Sequence, residues 1–233
     1  IFIRYEIALQ IFEKIKNDKG FKSFEKHVSS RKPFGLNGSF INSKEFKETK
    51  EGLKDPVKCY GKGKKIGYVE KEKFNFKDDL VKCLKVFTPY ANNIGTELND
   101  DNLNTFVGLP GTICTETYIM LGFDLNLTER SASNLSKYFS TRFSRLLHSL
   151  AKSSQHGTSK TYKFVPLQDF SSDSDIDWNK TIPEIDQQLY KKYKLTEEEI
   201  AFIERMIKPM AVKWRRFQDL PINGKINAFN TGV

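Results

Sequence analysis

Residues 138–170 read YFSTRFSRLLHSLAKSSQHGTSKTYKFVPLQDF: an amphipathic helical segment, a polar Ser/Gln/His/Gly/Thr loop, and then Val165-Pro166-Leu167-Gln168-Asp169-Phe170. From Leu135 onward, Phe139, Phe143, Leu146, Leu147 and Leu150 recur at three- and four-residue steps. That spacing puts them on one face of a helix and makes the face core. Lys137, Arg145, His148 and Lys152 fall roughly opposite, with Arg142 on the flank. The helix is therefore expected to show solvent a basic edge able to hold phosphate.

Outward from this segment the C-terminal third reads as helical. Thr128 is placed to cap the helix leading into it, and Pro183 opens a helix carrying Ile185, Leu189 and Tyr193. Thr196-Glu197-Glu198-Glu199 forms a capping box ahead of Ile200, Ile203 and Ile207, and Pro209 closes that helix. The tail beyond, with Trp214, Arg215 and Arg216, is expected to be partly disordered or docked on a neighbour. At the other end Ile7, Ala8, Ile11, Phe12 and Ile15 predict a helix over about Arg4 to Lys16, closed by Gly20, and a short helix follows from Phe21 to Val28.

Between Pro33 and Gly122 the punctuation changes to that of β structure. Val57 to Tyr60 and Ile66 to Val69 flank Gly61-Lys62-Gly63-Lys64-Lys65 as a hairpin and its tip. Leu84 to Pro89 and Thr112 to Leu121 are rich in β-branched and aromatic residues and read as strands. Asn92 to Asn104 is a polar loop, a place where a rigid scaffold can carry binding residues. The expected class is α+β: N-terminal helices, a mainly antiparallel β region with long loops, and a helical C-terminal part. The expected division is a main domain over 1–182, a C-terminal helical pair over 183–210 and the tail 211–233.

The 233 residues carry Lys+Arg 38 against Asp+Glu 29, a formal net charge of +9, with an isoelectric point near 9.3. That balance points to a polyanionic partner. The abundant Phe and Tyr can stack bases as well as build a core. Cys59, Cys83 and Cys114 are odd in number, far apart and without a Cys-x-x-Cys pair, which fits a reducing cytoplasm. No apolar run approaches the roughly 20 residues that span a bilayer, so no membrane partner is expected. The opening Ile1-Phe2-Ile3-Arg4 has neither an initiator Met nor a signal-peptide pattern, and the chain is expected to be a piece of a longer protein.

Motifs for catalysis give little. Gly61-Lys62-Gly63 sits between two short strands and is followed by Lys64 and Lys65, the pattern of a basic hairpin tip rather than a nucleotide-binding turn. His27, His148 and His156 have no spacing that pairs them on a helix face, and all three read as surface or loop histidines. The acidic run from Asp169 to Asp177 lacks the Gly and closing Glu of a calcium loop and reads as a solvated connector. Glu48-Thr49-Lys50 supplies only the Glu-x-Lys fragment of a metal-dependent nuclease. No catalytic, cofactor or metal residue is assigned. What remains is Arg31 and Lys32 before a Pro/Gly turn, Lys62, Lys64 and Lys65 on the hairpin, and Arg142, Arg145 and Lys152 along the helix. Such cations would hold phosphates, while Arg31, Asn37 or Asn92 would read base edges in the major groove.

Five blocks, in order over about residues 1 to 210, resemble the C-terminal target-recognition domain of adenine-specific DNA methyltransferases of bacterial type II restriction-modification systems. They are Ser30 to Leu36 (SRKPFGL), Pro110 to Tyr118 (PGTICTETY), Tyr138 to Leu147, Val165 to Phe170, and an ending made of Ile176-Asp177-Trp178, Ile185 to Tyr190 and Glu197 to Met210. The resemblance implies double-stranded DNA as partner. It also implies a separate catalytic domain of the same chain that binds S-adenosylmethionine and methylates N6 of a flipped adenine. The sequence departs from such enzymes in having neither the glycine-rich cofactor motif nor the Asn-Pro-Pro-Tyr type motif; Thr88-Pro89-Tyr90 has one proline. The expected role is thus DNA-sequence recognition without catalysis, with no cofactor in this fragment. The alternatives are a restriction endonuclease module, a fragment of a fused restriction-modification enzyme, or a protein-interaction module whose basic surface is incidental.

Overall fold

Two short strands buried on both faces set the architecture: β3 (Lys85–Pro89) and β6 (Tyr118–Leu121). The computed structural model describes residues 5–92, 103–152 and 154–209. Side chains alternate across a strand, so in β3 Val86 enters one core and Phe87 another, and in β6 Ile119 and Leu121 separate from Tyr118 and Met120 in the same way. With β4 (Phe106–Gly108) these strands form an antiparallel sheet of order β4-β3-β6, in which Phe87 stands opposite both Phe106 and Met120. Helices cover one face. A second sheet of order β2-β1-β5 covers the other: β1 (Pro56–Tyr60) and β2 (Ile66–Glu70) form the expected hairpin, and β5 (Thr112–Cys114) lies parallel to β1. The class is α+β, mainly antiparallel, as the sequence leads one to expect.

The expected strand over Thr112 to Leu121 is in fact two strands in different sheets. The chain crosses between them at Thr115–Thr117, where Thr115 N–H donates to Tyr60 O at 3.0 Å and Tyr90 N–H donates to Thr117 O at 2.8 Å. This crossing joins the ends of both sheets. Ahead of β3, the short α2 (Asp78–Lys82) ends on Lys85, which is 0% exposed. Its ammonium donates to the carbonyls of Leu80 (2.8 Å), Val81 (3.1 Å) and Cys83 (3.1 Å). These are helix-end carbonyls that would otherwise lack partners. Burial lowers the Lys85 pKa to about 8.

The helical layer contains α1 (Glu6–Lys16), α3 (Glu129–Tyr138), α4 (Arg142–Leu150), α5 (Ile182–Lys192) and α6 (Glu197–Met206). The predicted N-terminal short helix is a single 3-10 turn, Phe24–His27, capped by Ser23. The capping box at Thr196 and Glu199 forms as expected, and Lys14 reaches across to Glu199 at 2.6 Å. Pro183 occupies the first turn of α5 behind a second capping box, Thr181 with Glu184. Ile11, Leu135, Leu147, Ile185, Leu189 and Ile203 are buried in one core, so α5 and α6 share it with α1, α3 and α4. The run Val165 to Phe170 is an irregular strap along this core. Phe24 N–H donates to Val165 O and Leu167 N–H to Lys22 O, while the Tyr138 hydroxyl donates to Pro166 O and Asn134 Nδ2 to Phe170 O.

The single amphipathic helix expected through Leu135 to Leu150 is interrupted. α3 stops at Tyr138 and α4 restarts after Thr141, whose Oγ1 accepts the Ser144 N–H at 3.2 Å. Serine and threonine side chains compete with the helical ladder for backbone partners, which favours a stop and restart here. The new N-terminus is completed from α5: Asp186 accepts the N–H groups of Arg142 (3.0 Å) and Phe143 (2.9 Å). No described helix is long and apolar enough to cross a membrane.

Burial pushes the Asp186 carboxyl up to about 6, against the pull of those two N–H groups. A folded-state pKa above the unfolded value of about 3.9 means that the protonated form is favoured by folding. The associated stability is fully present below about pH 4 and is lost as pH rises through about 6, a change of roughly 2–3 kcal/mol. Asp186→Asn is expected to lose that component of the pH dependence in urea unfolding between pH 4 and pH 7. Asp186→Ala, which removes the acceptor, is expected to be destabilised by about 1–3 kcal/mol. An unchanged pH profile in Asp186→Asn would disprove the raised carboxyl.

Candidate nucleic-acid interface

The crossing at Thr115–Thr117 gathers several segments at one end of the two sheets. β1 ends there at Tyr60 and turns through Gly61 into the hairpin tip, a 3-10 turn over Lys62–Lys64. Gly61 N–H donates to Lys65 O at 2.8 Å, closing the tip. A Cβ on Gly61 would overlap the Ile41 Cγ2 methyl, so a side chain there would force the tip or the neighbouring Gly38–Asn42 turn to shift. Gly63 takes φ 68°, the left-handed region that glycine enters without strain. Lys62, Lys64 and Lys65 are exposed and make no ion pair among the described residues.

Beside the tip lies a group built around Glu116. The chain from the 3-10 turn runs along β6, with Ser29 N–H donating to Met120 O and Met120 N–H returning to Ser29 Oγ. That pairing carries Arg31 and Lys32 to the crossing. Glu116 Oε2 stands 2.8 Å from Arg31 Nη2 and 3.6 Å from Lys32 Nζ, while Oε1 accepts the Gly38 N–H at 2.9 Å. The Gly38 N–H, and after it the two cations, hold the Glu116 carboxyl below the usual range. Lys32 has φ 58°, an uncommon value for a residue with a Cβ, and its carbonyl accepts the Gly35 N–H. Asn37 is exposed just before the Gly38–Asn42 turn. The Arg31 guanidinium lies 4.9 Å from the centre of the Tyr90 ring, and Tyr90 in turn stacks on His156 at 4.9 Å. Gly157 N–H donates to Tyr90 O at 2.6 Å, so the polar loop after α4 is tied to the same end.

The basic edge expected on the helix does not survive. Arg145 is 1% exposed and donates to Thr141 O (3.2 Å) and Lys208 O (2.8 Å). His148, expected at the surface, is fully buried, and burial lowers its pKa to about 3. Lys152 donates to Asn92 O (2.8 Å) and Oδ1 (2.5 Å), and burial lowers its pKa to about 8. Asn92, expected as an exposed base reader, is buried at 7%. Lys137 donates to Trp178 O, and Arg142, half-buried, pairs with Glu204 at 3.2 Å. The physical reason is that α4 is covered on more than one side. The Ser159–Tyr162 turn, α5 and α6 all pack against it, so the stripe opposite the apolar face meets protein rather than water. Most of the Asn92 to Asn104 loop, residues 93–102, and the tail with Trp214 lie outside the described residues.

The structure therefore brings together Arg31, Lys32, Asn37, Lys62, Lys64 and Lys65, takes Asn92 and Arg145 inside, and leaves Lys152 and Arg142 half-buried on internal partners. Sequence reasoning missed Glu116 and Tyr90. Both stand in stretches already singled out, but nothing local connects an acidic residue and a ring to an arginine so far away in the chain. Elsewhere, His27 pairs with Asp124 at 3.0 Å, and the acidic connector folds on itself, Asp169 accepting the Ser171 N–H and Asp177 the Asn179 N–H. Among the described residues no three His, Cys, Asp or Glu side chains converge on a metal position.

No known protein-family model matches the chain, and no curated protein matches it.

The two kinds of cation separate by experiment. Arg145→Ala leaves a cavity and removes the guanidinium's hydrogen bonds to Thr141 O and Lys208 O, and a loss of about 2–4 kcal/mol in urea unfolding is expected. Lys62→Ala removes no internal contact and is expected to stay within about 0.5 kcal/mol of wild type.

Proposed function

We propose that the chain is the DNA sequence-recognition part of an adenine-N6 DNA methyltransferase of a restriction-modification system. In this reading the catalytic domain lies outside residues 1–233 and binds S-adenosylmethionine there. The observation that carries it is the convergence, at one end of the two sheets, of three exposed lysines without an ion pair among the described residues (Lys62, Lys64, Lys65) with the Arg31-Lys32-Glu116 group and the exposed Asn37. The five sequence blocks support the same reading. Ser30 to Leu36 and Pro110 to Tyr118 are the two blocks that meet in this group.

The elements suggest a division of labour. Lysines on a protruding tip follow a phosphate backbone without needing a fixed geometry, and each phosphate contact releases counterions, so affinity falls steeply with salt. Side chains held in place beside them supply contacts to base edges. The adenine chemistry belongs to the catalytic domain in this scheme, and the chain with labelled S-adenosylmethionine and duplex DNA is expected to transfer no methyl group.

The reading is tested by titrating duplex DNA into the full chain over a range of salt. Wild type is expected to bind, and Lys62→Ala/Lys64→Ala/Lys65→Ala to bind all sequences more weakly, with the log–log salt slope reduced by about one per lysine. Unchanged affinity and slope in the triple variant would remove the tip from the interface. Absence of duplex binding by wild type would end the DNA reading.

A further inference from the structure

We infer that Arg31 reads a guanine in the recognised site and that Glu116 and Tyr90 are its positioning residues. The inference rests on the DNA reading above and assigns one base contact within it. A base-reading side chain must be both open to the groove and ordered before contact, because discrimination is lost when the side chain can swing to an alternative partner. Arg31 meets both conditions: its side chain is 52% exposed, yet Nη2 is anchored on Glu116 at 2.8 Å and the guanidinium lies on the Tyr90 ring. Glu116 is itself fixed, its N–H donating to Leu36 O at 2.8 Å and its Oε1 accepting the Gly38 N–H. The brace thus runs from backbone to carboxylate to guanidinium.

The chemistry of the group selects the base. A guanidinium carries five N–H donors in a fixed fork, and the anchor is made through Nη2, so donors remain for two acceptors side by side. In the major groove guanine presents that pair, O6 and N7, whereas adenine presents one acceptor beside a donor. Lys32 shares the carboxylate at 3.6 Å and takes left-handed backbone geometry. It adds a second positive charge beside the carboxylate that anchors Arg31. Lys62, Lys64 and Lys65 have no such brace among the described residues and fit phosphate contact instead.

Selection from a randomised duplex library with the full chain tests this. Wild type is expected to enrich a motif containing guanine. Arg31→Ala should lose the preference at one guanine, binding the wild-type site roughly 10- to 100-fold more weakly while keeping the other positions. Arg31→Lys should fail to restore it, since an ammonium does not supply the fork. Glu116→Gln should weaken discrimination at that same position. Urea midpoints close to wild type show that the variants are folded, and Lys62→Ala in the same selection should weaken all sequences alike. The inference is overturned by a profile that Arg31→Ala leaves unaltered, or by a loss spread evenly over all sequences. Wild type that binds no duplex overturns the DNA reading as well, whereas wild-type binding with a profile indifferent to Arg31 overturns this assignment alone.

Discussion

Val86 and Phe87 are neighbours in the chain and face opposite ways, one into the helical core and the other into the core beneath the small sheet. Every larger feature depends on that wall. Fully burying side chains of this size contributes roughly 1.5–3 kcal/mol each, and β3 and β6 do so on both faces. The helices need one face as a floor and the β2-β1-β5 sheet needs the other. The same requirement forces the chain to leave one sheet for the other at Thr115–Thr117, because β5 belongs to the outer layer and β6 to the wall. The candidate interface stands at that crossing, fastened to both layers through Tyr60 and Tyr90.

Several cations work inside the molecule. Lys85 and Arg145 are buried with their nitrogens on backbone carbonyls, and Lys152 is held on Asn92. Taking a charge from water is costly unless hydrogen bonds replace the hydration, and the carbonyls at the end of α2, at the start of α4 and after α6 accept from these side chains. Part of the formal charge of +9 is therefore internal. The field outside the molecule comes from the exposed cations, the hairpin-tip lysines, Arg31 and Lys32 among them.

What the sequence disclosed and what it concealed divide by range. Thr128, Thr196 and the Val57–Val69 hairpin were legible because caps and tight turns are decided within a few residues. The wall strands lay within runs legible by their β-branched and aromatic residues, although nothing local separated β6 from β5. Periodicity located the apolar face of α4 and left open what lies against the other side. That is why Arg145 and His148 looked like surface residues. The start of α4 is completed by Asp186 and Arg31 is ordered on Glu116, both contacts between residues distant in the chain that no local pattern records. Asn92 misled for the same reason: its amide caps a lysine from another segment.

The hairpin tip has a consequence for how such a protein can change. Lys62, Gly63, Lys64 and Lys65 are all exposed, and their anchorage is the Gly61 backbone packed on Ile41 together with the turn's own hydrogen bonds. Exchanges at Lys62 and Lys65 touch solvent alone, at a cost of within about 0.5 kcal/mol to the fold, whereas Lys64 has φ 63°, where β-branched residues are strained. Arg31 differs, because its side chain is held by Glu116 and lies on the Tyr90 ring. Drift in sequence is thus cheap in contacts at the tip and coupled at Arg31, so the charge of the tip can change in small independent steps while a change at Arg31 also alters the surroundings of Glu116 and Tyr90.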